Sequence, residues 1–435
     1  MRYVKSLVES YAKIGSSILA LIAAEAFIQL INAAFFLVLL IYFNKQGYPD
    51  YEAAGFVSYR FLGVVLVALP VGIYARGRRL LPLFYAASVM VPLLSLLILW
   101  GIEKHFSNLI SIAMFFWGVF FNFITVVVNP FIIRNCDENA RSEAFALSYA
   151  SNSLASIVCG LLAWVLTSGL GFDIGERNVM FVIITLSLLA LPLLRFVDRN
   201  ENIEYLPQLE LFEPDFESSS KKSGKRNLPS SLIQNYDWKI IFHALFPTLV
   251  IAIGAGFTIP FVSLFFFTVH HVDTDIFSLI GTITAILVTL LALLVPNLLK
   301  KWGFKKSITG TQIVAVTLLV LFSTTEWYAQ WQWAAWLAAI FYISRQPLMN
   351  MTGPMTTELV LNYVGTRNRE IISALTSAIW SGSWFFSSII FKWLREAHQP
   401  YVNIFLITGA MYALGVVFYY RLIMAYEEKI NISSN

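Results

Sequence analysis

The chain has 435 residues, a formal net charge of +4 and a mean hydropathy of +0.69. Apolar and aromatic residues make up 58% of it and charged residues 13%, about half the charged share of an ordinary soluble domain. So few charges cannot coat a soluble protein of this length, so lipid must be the solvent for much of the exterior, and the mild, scattered basicity excludes a nucleic-acid-binding face.

In chain order, Met1 to Lys13 is too polar for a cleaved signal peptide, and the apolar run from Ile14 to Phe43 is too long for one. It reads as a first permanent span. Crossing about 30 Å of hydrocarbon takes roughly 20 mostly apolar residues. By that measure spans fall near 14–43, 52–75, 80–100, 108–133, 143–168 and 177–197, then 240–269, 275–299, 306–326, 332–354, 370–393 and 401–424. The fold class expected is an all-α integral membrane protein, with about twelve helices in two pseudo-symmetric six-helix bundles. The bundles cover residues 1–197 and 240–435, and a linker, 198–239, joins them. That linker holds Pro207, Pro214, Pro229 and a Ser-Ser-Ser-Lys-Lys run, the composition of a flexible connection.

In span one, Glu25, Gln29 and Asn32 stand at i, i+4 and i+7 and share a helical face, either to line an aqueous cavity or to bond neighbouring helices. Span two carries Arg60, flanked by Ser58 and Tyr59. At 1.5 Å per residue Glu25 and Arg60 both come near mid-membrane, where opposite charges are expected to pair. The pair is either static, or functional through a proton on Glu25 or an anion on Arg60. Span four ends at Asn129-Pro130 with Asn122 eight residues earlier, and span seven carries a bendable Gly254-Ala-Gly-Phe-Thr-Ile-Pro260 segment. His270, His271, Asp273 and Asp275 have a spacing that admits weak metal binding but reads as a solvated loop, and no metal site is expected. Trp327, Trp331, Trp333 and Trp336 read as interfacial anchors. Arg345 and Gln346 interrupt span ten. Arg345 either snorkels or pairs with Glu358, or it is a second cation facing a cavity. In span eleven Trp380 and Trp384 lie one turn apart among Ser377, Ser381 and Ser388, as a wall of a site or as a packing face.

Basic residues set the orientation. With a cytoplasmic N-terminus, Arg76, Arg78, Arg79, Arg134, Arg141, Lys221, Lys222, Lys300, Lys301, Lys305 and Lys306 all fall inside, while Lys45, Lys104, Arg177, Lys392 and Arg395 fall outside. Both termini and the linker are therefore expected to be cytoplasmic, in a bacterial plasma (inner) membrane.

The halves also repeat. Pro70 precedes Gly77 by seven residues after span two, and Pro296 precedes Gly303 by seven after span eight, with basic residues following both glycines. Asn129-Pro130 and Gly353-Pro354 close spans four and ten, each followed by a polar loop and an arginine, Arg141 or Arg369. Asn122 and Gln346 stand eight residues before those prolines. Parallel six-span repeats imply two bundles about an axis normal to the membrane with a solute site between them.

With six plus six spans, cytoplasmic termini and a long central loop, the chain resembles the major facilitator superfamily of secondary transporters. Gly77, Arg78 and Arg79 match the second half of that family's loop motif, whereas Pro70 stands at its first glycine and Tyr74 at its aspartate. The second copy keeps Gly303 and Lys305 and has Lys300 at the acidic position. The resemblance implies gating at these loops.

The chain has no Gly-x-x-x-x-Gly-Lys-Ser/Thr loop, no Gly-x-Ser-x-Gly elbow and no His-Glu-x-x-His site, so neither ATP-driven pumping nor familiar hydrolysis is expected, and no cofactor. The function expected is secondary active transport of a small solute by alternating access, coupled to protons, by a monomer. Its pathway is expected to comprise Glu25, Gln29, Asn32, Tyr59, Arg60, Asn122, Arg345, Gln346, Trp380 and Trp384. An uncoupled facilitator or multidrug exporter of the same fold is the nearest alternative, and a membrane-embedded enzyme or a receptor the more distant one.

Overall fold

The computed structural model describes residues 14–75, 78–136, 140–168, 174–197, 237–365 and 369–434, and these hold twelve long helices. The first six are α1 (Ser16–Lys45), α2 (Asp50–Ala75), α3 (Leu81–Glu103), α4 (Ser107–Asn135), α5 (Arg141–Thr167) and α6 (Gly175–Leu194). The second six are α7 (Trp238–His270), α8 (Thr274–Ala292), α9 (Val295–Thr324), α10 (Ala334–Val364), α11 (Arg369–Glu396) and α12 (Tyr401–Ser434). Helices suit these segments because lipid offers the backbone no partners, so each span must satisfy its own N–H and C=O groups. The expected linker lies, up to Tyr236, outside the described residues.

Ten of the twelve helices are long and apolar enough to cross a membrane. The other two, α10 and α11, are as long but more polar, and the reason is their place in the fold: both face a central cavity. Spans four and ten, expected to end at Pro130 and Pro354, continue to Asn135 and Val364 with those prolines inside the helix. Each proline costs one backbone donor, a loss that packed membrane helices tolerate. The extra turn of α4 places buried Arg134 at the end of α2, where it donates to the carbonyls of Ala75 (2.8 Å) and Arg78 (2.9 Å). In the sequence Arg134 stands out only as a loop charge.

Helix pairing repeats with an offset of six. In the first half α1 packs on α5 and α6, α2 on α4, and α3 on α4 and α6. In the second, α7 packs on α11 and α12, α8 on α10, and α9 on α10 and α12. The two bundles meet along α2–α11 and α5–α8. This is the pseudo-symmetric two-bundle architecture.

Glycines set the closest approach of α2 and α4. A Cβ on Gly118 would stand 2.0 Å from the Arg60 carbonyl oxygen, and one on Gly63 2.1 Å from the Phe115 carbonyl oxygen. Backbone cannot move aside as a side chain can, so Gly118→Ala is expected to cost about 1–3 kcal/mol through overpacking. Thermal melting of the solubilised protein should show that loss, while Gly310→Ala, with open space around its Cβ, should melt as the wild type does.

Candidate functional site

The polar face of α1 forms as its spacing predicts, but the Glu25–Arg60 ion pair does not. Glu25 accepts a hydrogen bond from Ser148 of α5 (2.8 Å) and another from Gln29. Asn32 donates to Gln29 Oε1 (3.1 Å), and Arg60 Nη2 donates to Asn32 Oδ1. The two charges are therefore joined through amides, Glu25–Gln29–Asn32–Arg60, in place of direct contact. The physical reason is that Arg60 has other company. Its guanidinium carbon lies 4.4–5.7 Å from the ring centroids of Phe35, Phe36, Phe61, Trp117 and Phe121. Ring faces carry negative quadrupole charge and hold a cation without a carboxylate. A π-helical turn at Phe35–Leu39 accompanies the placement of two consecutive phenylalanines beside it, and Trp117 is anchored by its indole N–H to Ser95 Oγ (2.9 Å).

Arg60, 5% exposed, lines a cavity of 870 Å³ between α2, α4 and α11. Asn122, Trp380 and Trp384 line it too. An adjoining cavity of 580 Å³ lies within reach of α7, α9, α10 and α12 and holds Gln312, Gln346, Tyr412 and Tyr419 in its wall. The two share Asn129, Ser377 and Trp380, and so form one central space. Arg345 does not line either cavity. It is 1% exposed, donates to Gln346 Oε1 (2.7 Å) and sits 5.5 Å from the Tyr412 ring centroid. It thus stands one layer behind the wall, with no ion pair to Glu358. Tyr59 is 43% exposed and lines neither cavity. Gln312, absent from the sequence-based candidates, is buried with both amide atoms unpartnered. A lone glutamine in an apolar helix was its only signal.

The helices alternate in direction, so one face of the bundle carries the termini and the ends of α2, α4, α8 and α10. On that face the central space opens, past Tyr149, which is 79% exposed. The opposite face is sealed by two clasps between the bundles. Asp50 of α2 accepts from Arg395 Nη2 (2.8 Å), from Tyr401 Oη (2.7 Å) and, within its own bundle, from Asn44 (2.6 Å). Lys45 of α1 bonds Glu176 (2.6 Å) and Asp273 (2.8 Å), while Thr274 donates to Glu176 (2.8 Å). Asp273 is thus engaged. His270, read as part of a solvated loop, is buried and bonds Thr325 Oγ1 through Nε2 (2.9 Å). Trp327, Trp331, Trp333 and Trp336 are exposed around this face.

Of the loop residues, Gly77 lies outside the described residues. Arg78 stacks on Tyr74, 4.4 Å from its ring centroid, and Arg79 is exposed. Gly303 has φ +65° where α9 bends, with open space around it, so its requirement is left-handed backbone and not close helix approach. Lys305 lies over the Tyr420 ring, 5.0 Å from its centroid.

Solved structures similar to this one are membrane transporters. A D-xylose–proton symporter aligns with TM-score 0.68 and 15% identity, over 93% of this chain and 96% of its own. The nucleoside transporter NupG aligns with TM-score 0.67 and 13% identity, over 94% and 98%. A bacterial homologue of the human lysosomal transporter Spinster, solved inward-facing and unoccupied, aligns with TM-score 0.61 and 13% identity, over 95% and 97%. No curated protein sequence matches the chain. The family model of the Major Facilitator Superfamily matches residues 18–388. Twelve helices in two repeated bundles, a cavity between them and this match together mark a membrane transporter of small solutes and not an enzyme: the chain belongs to the Major Facilitator Superfamily.

Proposed function

We propose that the protein is a secondary active transporter that works by alternating access and is driven by protons. The observation that carries the reading is the central space: both bundles wall it, it opens on the face of the termini, and charged clasps seal the other face. Positive charge concentrated on the terminal face makes that face cytoplasmic, so this is the inward-open state. Each chain supplies both halves of the cavity and acts as a monomer.

Proton coupling rests on Glu25. Two carboxylates are buried among the described residues: Asp50, which has Arg395 as its partner, and Glu25, whose partners are neutral. A proton can join or leave Glu25 without breaking an ion pair. Gln29 and Asn32 then transmit the change to Arg60 at the cavity wall, since a protonated carboxyl group becomes a donor and reverses the bond that Gln29 makes.

Purified protein in liposomes loaded with a pH-sensitive dye tests this. Solute entry is expected to move protons with it, and a protonophore should abolish accumulation while leaving equilibration intact. Solute entry without proton movement would assign an uncoupled facilitator instead.

A further inference from the structure

We infer that the central site takes an organic oxyanion, a carboxylate or a phosphate ester, with its acid group between Arg60, Asn122 and Trp384. This deepens the transport reading above and rests on it.

Arg60 carries only donors, and among the described residues no carboxylate pairs with it; its Nε has no partner. Asn122 is buried in the wall of the same cavity. Thr125 Oγ1 donates to Asn122 Oδ1 and to the Asn122 backbone carbonyl (both 3.3 Å), while Asn122 Nδ2 has no partner. The Trp384 indole N–H, a donor only, is likewise buried and unpartnered in the same wall. Three residues in the wall of one cavity thus carry donors without partners, and among the described residues no Asp or Glu lines that cavity or the one adjoining it.

Buried donors without acceptors are costly, and an uncompensated cation more so. The aromatic rings offset part of the charge of Arg60, but they accept no strong hydrogen bonds. An oxyanion supplies what is missing: negative charge and several lone pairs. A cationic solute would meet repulsion here. A polyol would satisfy the donors while leaving the charge unmatched. The wall next to the donors is apolar, formed by Phe61, Trp380 and Ala378, and suits a carbon skeleton behind the acid group.

The test uses the full-length protein in detergent and four ring compounds: benzoate, phenyl phosphate, neutral benzamide and cationic benzylamine. Ligands that bind the folded state raise the melting temperature with concentration. Benzoate or phenyl phosphate is expected to do so, benzamide and benzylamine to do so weakly or not at all, and the anion that shifts more identifies the acid group. Asn122→Asp places a carboxylate in the wall without changing shape. It is expected to raise the melting temperature in the absence of any probe and to weaken anion binding by about tenfold to a hundredfold, the scale of one charge-assisted bond replaced by repulsion. Trp384→Phe should weaken anion binding while keeping the ring. Benzamide or benzylamine stabilising as well as benzoate does, no probe stabilising at all, or unchanged anion binding in Asn122→Asp would each overturn the inference. Proton-coupled uptake of an amine in liposomes would overturn it while leaving the transport reading intact. Anion binding without any transport would do the reverse.

Discussion

Replacing Glu25 by glutamine is expected to abolish accumulation driven by a pH gradient while solute exchange across the membrane persists. The amide still accepts from Ser148 and still bonds Gln29, so the fold and the cavity stay as they are. What it loses is the ability to take and release a proton. A gradient of one pH unit stores about 1.4 kcal/mol per proton, enough to hold a solute at roughly a tenfold excess for one proton per cycle. In the Glu25→Gln protein that ratio should fall to unity. Asn32→Ala, which cuts the amide path between Glu25 and Arg60, should reproduce the effect although it leaves the carboxylate in place. Accumulation in Glu25→Gln equal to that of the wild type would move the coupling site elsewhere. Loss in Glu25→Gln with none in Asn32→Ala would retain Glu25 and remove the relay.

Replacing Asp50 by alanine is expected to release the sealed face. Asp50 is buried and takes bonds from Arg395 and Tyr401 of the other bundle, so its loss leaves two donors without their acceptor. Removing one partner of a buried, hydrogen-bonded charge pair costs about 2–5 kcal/mol. A two-state equilibrium near 99:1 would be brought to parity by roughly 2.7 kcal/mol, so this change is large enough to populate a state open at the sealed face. Lys45→Ala should act more weakly, because Lys45 and Asp273 are partly exposed and exposed pairs contribute only about 0.2–1 kcal/mol. The readout is labelling of a cysteine at Ala378, in the cavity wall, by a reagent added from the sealed side. Faster labelling in Asp50→Ala than in Lys45→Ala is the expected order, and no increase in either would mean that the clasps do not hold the face shut.

The twelve helices, their repeat and the polar stripe of α1 were legible because each depends on residues close in sequence: apolar runs of span length, paired Pro–Gly spacings, and positions three and four apart. The pairing of Glu25 with Arg60 failed because depth alone does not say which way two helices face each other. Phe35, Phe36, Phe61, Trp117 and Phe121 come from three helices, and among 36 phenylalanines and 12 tryptophans no local pattern sets these apart. The Asp50 clasp joins residues 345 apart in the chain, and of its members the sequence singles out Arg395 alone, as a charge for orientation. The close approach of α2 and α4 was equally hidden, since Gly118 looks like any other glycine in a membrane helix until the Arg60 carbonyl is placed on it. Proline was over-read as a terminator at Pro130 and Pro354, because the rule holds in water, where a broken helix can be solvated, and loosens inside a packed membrane bundle.

In the proposed cycle the two bundles expose the cavity to one face at a time. Spin labels at Lys104 and Gln399 report the separation of the bundles at the sealed face, and a second pair at Arg79 and Lys306 reports it at the open face. Distances measured by pulsed electron paramagnetic resonance in wild type and Asp50→Ala should change in opposite senses, the first pair moving apart as the second closes. Both pairs widening together, or the first widening with no change in the second, would contradict alternating access in this protein.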